Sequence, residues 1–298
     1  MTAAAIALRL PKVFARARQP SAALPPLSPR LQFVRASLML LLVITTSLLI
    51  ELLVLSAPVQ RAAQQRAFAQ FRGDLAKGTA PIGPTDNKGR ALRPGSSVAY
   101  LDIPAIGLRQ VVVEGTTSGN LFTGPGHRRD TPLPGQEGVS VTLGRRAAFG
   151  GPFARIHTLT TGALIRVTTG QGTFDYRVSG VRREGAPVPA ALKAGTSRLL
   201  LATADGRPFM PAGVLRVDAD LDVPATAAPS PLFNNRTLPV AEQMMAADPT
   251  TFWALALWLQ GLIAVTIGGV WAWHRWGRAK AWVVFLPPLL LIGISTSE

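Results

Sequence analysis

Apolar residues are distributed along this chain in two textures. Residues 36–58 (ASLMLLLVITTSLLIELLVLSAP) are apolar almost without interruption, Glu51 near the far end being the one acid, and the run is long enough to cross a bilayer as a helix. Two more such runs lie toward the other end of the chain. Residues 251–273 are again long enough to span, whereas 281–294 is shorter and broken by Pro287-Pro288, which reads as a tilted, broken or re-entrant segment. Between these ends short β-type runs (SVAYLDIP, RQVVVEG, GVSVTLG, ALIRVTTG, TFDYRVSGVRR, SRLLLATA, GVLRVDADLDV) alternate with turn signals from Ser97 to Val223. That spacing predicts an all-β sandwich or barrel. The clearest hairpin is ALIRVTTGQGTFDYRVSG, turning at Gly170-Gln171-Gly172.

The intervening segments complete the layout. QRAAQQRAFAQFRGDLA (60–76) puts Ala67, Phe68, Phe71 and Leu75 on one side of a helix, a stalk that would stand the β-domain off the membrane. The expected organisation is a basic segment over 1–35, a span over 36–58, stalk helix and linker over 59–96, and the β-domain over 97–223. A polar linker over 224–250, a span over 251–273, a cytoplasmic loop over 274–280 and the third apolar run within 281–298 follow.

Charge sets the orientation. Arg9, Lys12, Arg16, Arg18, Arg30 and Arg35 precede the first span or open it with no acid among them, which places the N-terminus in the cytoplasm and the middle of the chain outside. The first apolar run starts too far in and is too long for a cleaved signal, so it reads as an uncleaved anchor in the plasma membrane. Net charge is +15, and residues 57–250 counted alone hold 22 basic and 14 acidic residues. A basic exported face suits an anionic wall polymer or lipid surface; dispersed basic residues facing outward argue against nucleic acid. With no cysteine in the chain there is neither a disulfide nor a thiol. The three histidines, His127, His157 and His274, are too far apart for a metal site, and the glycine clusters open no helix after a strand, so no metal or cofactor is expected.

LDIPAIGL (101–108), VVVEGTTSGNLFTGPGHRRDTPLPGQEG (111–138), LGRRAAFGGPFARI (143–156), the Gly162–Tyr176 hairpin, and LLLATADG followed by VLRVDADL resemble, in order and spacing, the sortases of Gram-positive bacteria, most of all the class E type of high-GC species. The resemblance implies a membrane-anchored, closed barrel of about eight strands, and the apolar runs add transmembrane helices at both ends. It also implies a cell-wall setting and a catalytic histidine, cysteine and arginine. The histidine position, in a Gly-His-Arg step, is here Arg145, which cannot accept a proton. The cysteine position closing Leu-x-Thr-Cys is Ala204, and the arginine opening the last strand is Val214. Sortase-type cysteine transpeptidation is excluded by composition alone.

Other chemistry is weighed against that loss. Thr203 alternates with Ala204 and so points to the opposite face, toward the core, and His127 in GPGHRRD reads as a loop brace rather than a base. By the same alternation Leu215, Val217, Ala219 and Leu221 face the core while Val214, Arg216, Asp218 and Asp220 face away. Arg216 thus joins Arg145 and Arg146 as candidates for a cationic patch that binds an anion or peptide carboxylate. Asp205 and His127 complete the candidate ligand-binding set, with Arg182 and Arg183 on the loop that walls the peptide groove in sortases. The favoured function is a catalytically inactive, sortase-like membrane protein that binds or scaffolds a wall-associated peptide or protein. The alternative is a transpeptidase or hydrolase of wall-sorted proteins with replaced chemistry, using Thr203 or a water on Asp205. In a third possibility residues 251–298 dock on another membrane protein through Gln260 and the Gly268-Gly269 pair.

Overall fold

The computed structural model describes residues 28–50 and 54–243, together with scattered helical positions between Gln260 and Trp271. The expected basic segment over 1–27, most of the span expected over 251–273 and the run over 281–294 lie outside the described residues. Helix α1, Pro29–Ile50, begins where Ser28 accepts a hydrogen bond from the Leu31 N–H and Pro29 occupies the first helical position, a favoured start. It therefore starts earlier than the apolar run alone suggests. It is long and apolar enough to cross a membrane over Pro29–Ser47.

The described residues between Val43 and Gln260 form a compact unit of their own. Helix α2, Ser56–Ala76, lies along the barrel wall rather than standing free of it, with Phe71 and Gln60 buried. Its Gln64 amide accepts from the Val111 N–H (2.7 Å) and donates to the Val111 carbonyl (3.1 Å). Buried backbone polar groups need partners, and here a side chain completes the wall of the second strand.

The barrel contains β1 (Ser97–Ile103), β2 (Leu108–Glu114), β3 (Gly126–His127), β4 (Gly138–Leu143), β5 (Leu164–Thr169), β6 (Gly172–Arg182), β7 (Ser197–Arg207) and β8 (Met210–Leu221). It closes in the order β1-β2-β3-β4-β7-β8-β6-β5, with β2–β3 and β4–β7 parallel and the other pairs antiparallel. All seven expected runs contain strands. The eighth, β3, sits inside the stretch that the sequence marks as a Gly-Pro-Gly turn, and helix α3, Ser118–Thr123, capped by Thr117, has no counterpart in the sequence pattern. Gly124 and Gly126 are there for clearance: a Cβ would lie 2.1 Å from the Gln64 amide nitrogen and 2.4 Å from the Gly115 carbonyl oxygen, respectively.

Alternation fills the interior. Leu215, Val217 and Ala219 of β8 are fully buried beside Leu199 and Leu201 of β7 and Val98, Leu101 and Ile103 of β1. Asp218, on the opposite face, is also buried, because Arg182 clamps it from the neighbouring strand. The segment after β8 is strapped to the barrel. Thr226 exchanges backbone hydrogen bonds with Gly135 and Glu137, Arg129 stacks over Phe233 (4.0 Å to the ring centre), and the Arg129 guanidinium pairs with Glu242 at 3.3 Å.

Candidate functional site

A cleft of about 480 Å³ opens where β4, β7 and the β7–β8 hairpin end. Leu143, Leu121 and Ala202 give it an apolar floor, and Val141 and Val214 pack behind them. Leu143 leads into Gly144, where a Cβ would lie 2.4 Å from the Phe153 ring, so only glycine fits. The Gly144 carbonyl accepts the Thr203 hydroxyl at 2.8 Å, which fixes the turn and holds that hydroxyl in the interior.

Past Gly144 the loop coils through Ala148, Phe149, Gly150 and Gly151, all with positive φ. Phe149 stacks on Phe122 of α3 at 4.1 Å, and the Arg145 guanidinium lies 4.4 Å from the Phe122 ring centre while donating to the Ser118 hydroxyl at 2.8 Å. Burial pushes the Arg145 pKa down from its ordinary value, and the guanidinium still carries its charge at neutral pH. Arg146 points to the other side, donating to the Ala204 carbonyl at 3.3 Å with the Asp205 carboxylate 4.0 Å away.

Ala204 and Val214 face each other across β7–β8, and Ala204 lines the cleft together with Arg145 and Arg146. Arg216 is opposite Ala202 on β7 and Arg182 on β6, beside the cleft rather than in its lining, and no ion pair engages it among the described residues. Arg182 is committed to Asp218, and that carboxylate, accepting from it in bidentate fashion, pushes the Arg182 pKa upward. Arg183 pairs with Asp205 at 3.1 Å. His127 lies apart from the cleft, fully buried, with Nδ1 2.9 Å from a Glu114 carboxylate oxygen and Nε2 3.0 Å from the Pro132 carbonyl.

Sequence reasoning did not include Arg207, Phe209 and Ala241, which line the same cleft. The first two come from a hairpin longer than the β-pattern indicated, since β7 and β8 pair as far as Arg207 and Met210. Ala241 arrives with the strapped segment, and no local signal marks its partner. Among the described residues no group of three or more His, Asp or Glu side chains could hold a metal ion.

Residues 101–209 match the family model described as the sortase domain. Sortase D of Bacillus subtilis (strain 168) is 32% identical over 84 residues, which are 28% of this chain and 41% of that protein, so the chain spans less than half the length of this relative. A Clostridium perfringens Sortase D5 transpeptidase is similar in structure at 20% identity and a TM-score of 0.44, over 54% of this chain and 98% of that one. Sortase E1 of Streptomyces coelicolor, solved with a tripeptide in its active site, is similar at 22% identity and a TM-score of 0.39, over 45% of this chain and 93% of that one. Residues 101–209 are thus similar to the sortase domain, and they lie within a closed eight-stranded barrel like that of sortases.

Proposed function

We propose that this protein is a membrane-anchored, sortase-like binding module of the Gram-positive cell envelope, closest to class E, with its N-terminus in the cytoplasm and its barrel outside. It holds a wall-associated peptide or protein in the cleft without cleaving it by thiol chemistry. The observation that carries this reading is the state of the hydroxyls lining the cleft. Thr116 donates to the Glu242 carbonyl at 2.6 Å, Ser118 accepts from Arg145 at 2.8 Å, and Thr203 donates to the Gly144 carbonyl at 2.8 Å. With a methyl at position 204 and no histidine in the lining, the cleft offers cations and apolar surface but no activated nucleophile. Of the lining cations, Arg207 has no ion pair among the described residues and Arg146 holds only the Ala204 carbonyl at 3.3 Å and Asp205 at 4.0 Å, so these two can meet a ligand carboxylate; Arg145 is occupied in holding the rim.

A photo-crosslinking amino acid at position 204 of the full chain in cells tests the proposal. A specific peptide or protein adduct, lost on Arg146→Ala, is expected. An adduct pattern unchanged by that substitution removes the cleft as a binding site. The family match favours a second reading, an enzyme with replaced chemistry that uses Thr203 or a water on Asp205. That reading requires labelling by a threonine-reactive probe that disappears in Thr203→Ala.

A further inference from the structure

Both rims of the cleft carry apolar side chains that the barrel leaves uncovered. On the hairpin rim Phe209 and Met210 are 56% and 69% exposed. Phe209 is held at φ 62°, a left-handed conformation that a bulky residue adopts only under constraint, and the pairing of Arg207 with Met210 closes the hairpin around it. On the other rim Phe122 is half-exposed, and Val54, Leu55 and Val59 at the start of α2 are 59%, 50% and 60% exposed. Ser56 ties that first turn of α2 to the rim by accepting the Phe149 N–H at 3.1 Å, and Gln60 abuts Gly150.

Chain length places this end of the barrel. Ile50 ends the apolar helix and Ser56 opens α2. The chain between them reaches at most about 21 Å when fully extended. With the helical rise from Ser47 to Ile50 added, a bilayer crossed by α1 over Pro29–Ser47 lies within about 25 Å of Ser56 at the rim. Near the tip Arg207 is exposed and without an ion pair among the described residues; of the acids flanking the hairpin, Asp205 is shared between Arg146 and Arg183, and the Glu184 carboxylate lies against Gly213. Exposed aromatic and aliphatic side chains interleaved with arginine suit the boundary between headgroups and acyl chains of an anionic membrane.

We infer that the cleft end of the barrel docks on the lipid surface. Phe209 and Met210 enter from one rim, and Phe122 with the first turn of α2 from the other. Arg207 meets acidic headgroups, and the cleft opens along the membrane plane. This rests on anchoring by α1, as proposed above, and not on whether the cleft holds a peptide.

Because the chain has no cysteine, an introduced one is its sole thiol. The full chain carrying Met210→Cys is labelled with bimane and reconstituted into phosphatidylglycerol nanodiscs containing acyl-brominated lipid. A Lys193→Cys control reports from an exposed site just before the far end of β7. Brominated lipid is expected to quench the label at 210 while aqueous iodide does not reach it, with the reverse at 193; adding Phe209→Asp should return position 210 to iodide. A label at 210 open to iodide and untouched by brominated lipid overturns the docking. So does one shielded from both, which would mean that a protein covers the tip. Protein released from membranes by alkaline carbonate refutes the anchoring itself, separately from any result at position 204.

Discussion

His127→Gln tests how the first half of the barrel is held. The imidazole bridges β3 to β2, with Nδ1 donating to a Glu114 carboxylate oxygen at 2.9 Å and Nε2 donating to the Pro132 carbonyl at 3.0 Å. The Glu114 carboxylate and the Pro132 carbonyl are acceptors, and the Thr131 hydroxyl 3.2 Å from Nε2 donates to the Arg128 carbonyl, so these partners favour a proton on each ring nitrogen, the imidazolium form. Burial alone would disfavour that charge, but the Glu114 carboxylate beside it, together with the Pro132 carbonyl, outweighs burial and raises the pKa above its ordinary value. The side chains are 2% and 4% exposed, so removing the cation strands a carboxylate in the interior. The expected loss is about 3–5 kcal/mol, against at most ~1 kcal/mol for a surface pair. The linkage has a definite sign. Because the folded pKa is raised, the stabilisation is complete below the unfolded value of about 6.5 and is lost as pH climbs through the higher folded value. Hydrogen exchange of β3–β4 peptides in the solubilised full chain should therefore show wild-type protection falling as pH rises through the raised imidazole value, and a variant that is weaker and flat across that window. A loss below about 1 kcal/mol, or an unchanged pH slope, would refute the buried imidazolium.

Three further outcomes are expected. Tyr176→Phe removes a fully buried hydroxyl that accepts the Gly135 N–H at 2.6 Å and bonds Ser197 at 2.9 Å, so thermal unfolding should register a loss of about 1–3 kcal/mol; no shift would mean that water replaces it. Gly144→Ala sets a methyl into the Phe153 ring and should destabilise by about 1–3 kcal/mol, with loosened exchange over 145–151; a neutral result would show that Phe153 can retreat. Arg129→Ala cuts the pair with Glu242 and the stack on Phe233, so exchange protection should fall over 233–243 while the strands keep theirs; retained protection there would place the latch elsewhere.

Period-two alternation made the barrel walls legible, because every long strand has one face in the core. β8 shows both the strength and the limit of that signal. Leu215, Val217 and Ala219 are buried as alternation requires, but Asp218 is buried as well, since its environment depends on Arg182, which is distant in sequence. β3 escaped because a two-residue strand has no period to read; its place is set by the clearance that Gly126 gives against Gly115. The helix over 60–76 was legible, but its position was not, because Gln60 and Gln64 look like surface residues until their amides meet the backbone of β2 and the end of α3. At the site, the sequence grouped Arg145, Arg146 and Arg216 by sign of charge. The structure separates them by what each already touches, and it adds Arg207 from a hairpin whose true length is a pairing property.

That separation follows from the shape of the loop after Gly144. Ala148 and Phe149 have φ of 57° and 44° and continue into Gly150 and Gly151 at 71° and 48°. Left-handed geometry costs a non-glycine residue about 1–2 kcal/mol, so the two side chains together impose several times the thermal energy on the loop. The offsetting contacts are the Ser56 hydroxyl on the Phe149 N–H, the Phe149–Phe122 stack, and Arg145 lying over both rings. Arg145 is thus a clamp, and a guanidinium that bonds Ser118 while covering two rings has little left to offer a ligand. The ligand-facing charge passes to Arg146, which reaches toward β7 at Ala204, and to Arg207 at the end of that strand. Ser56 belongs to α2, so the seating of that helix against the barrel is one of the contacts that fix Phe149, over which Arg145 lies. The placement of charge around the cleft is therefore tied to how α2 is seated against the barrel.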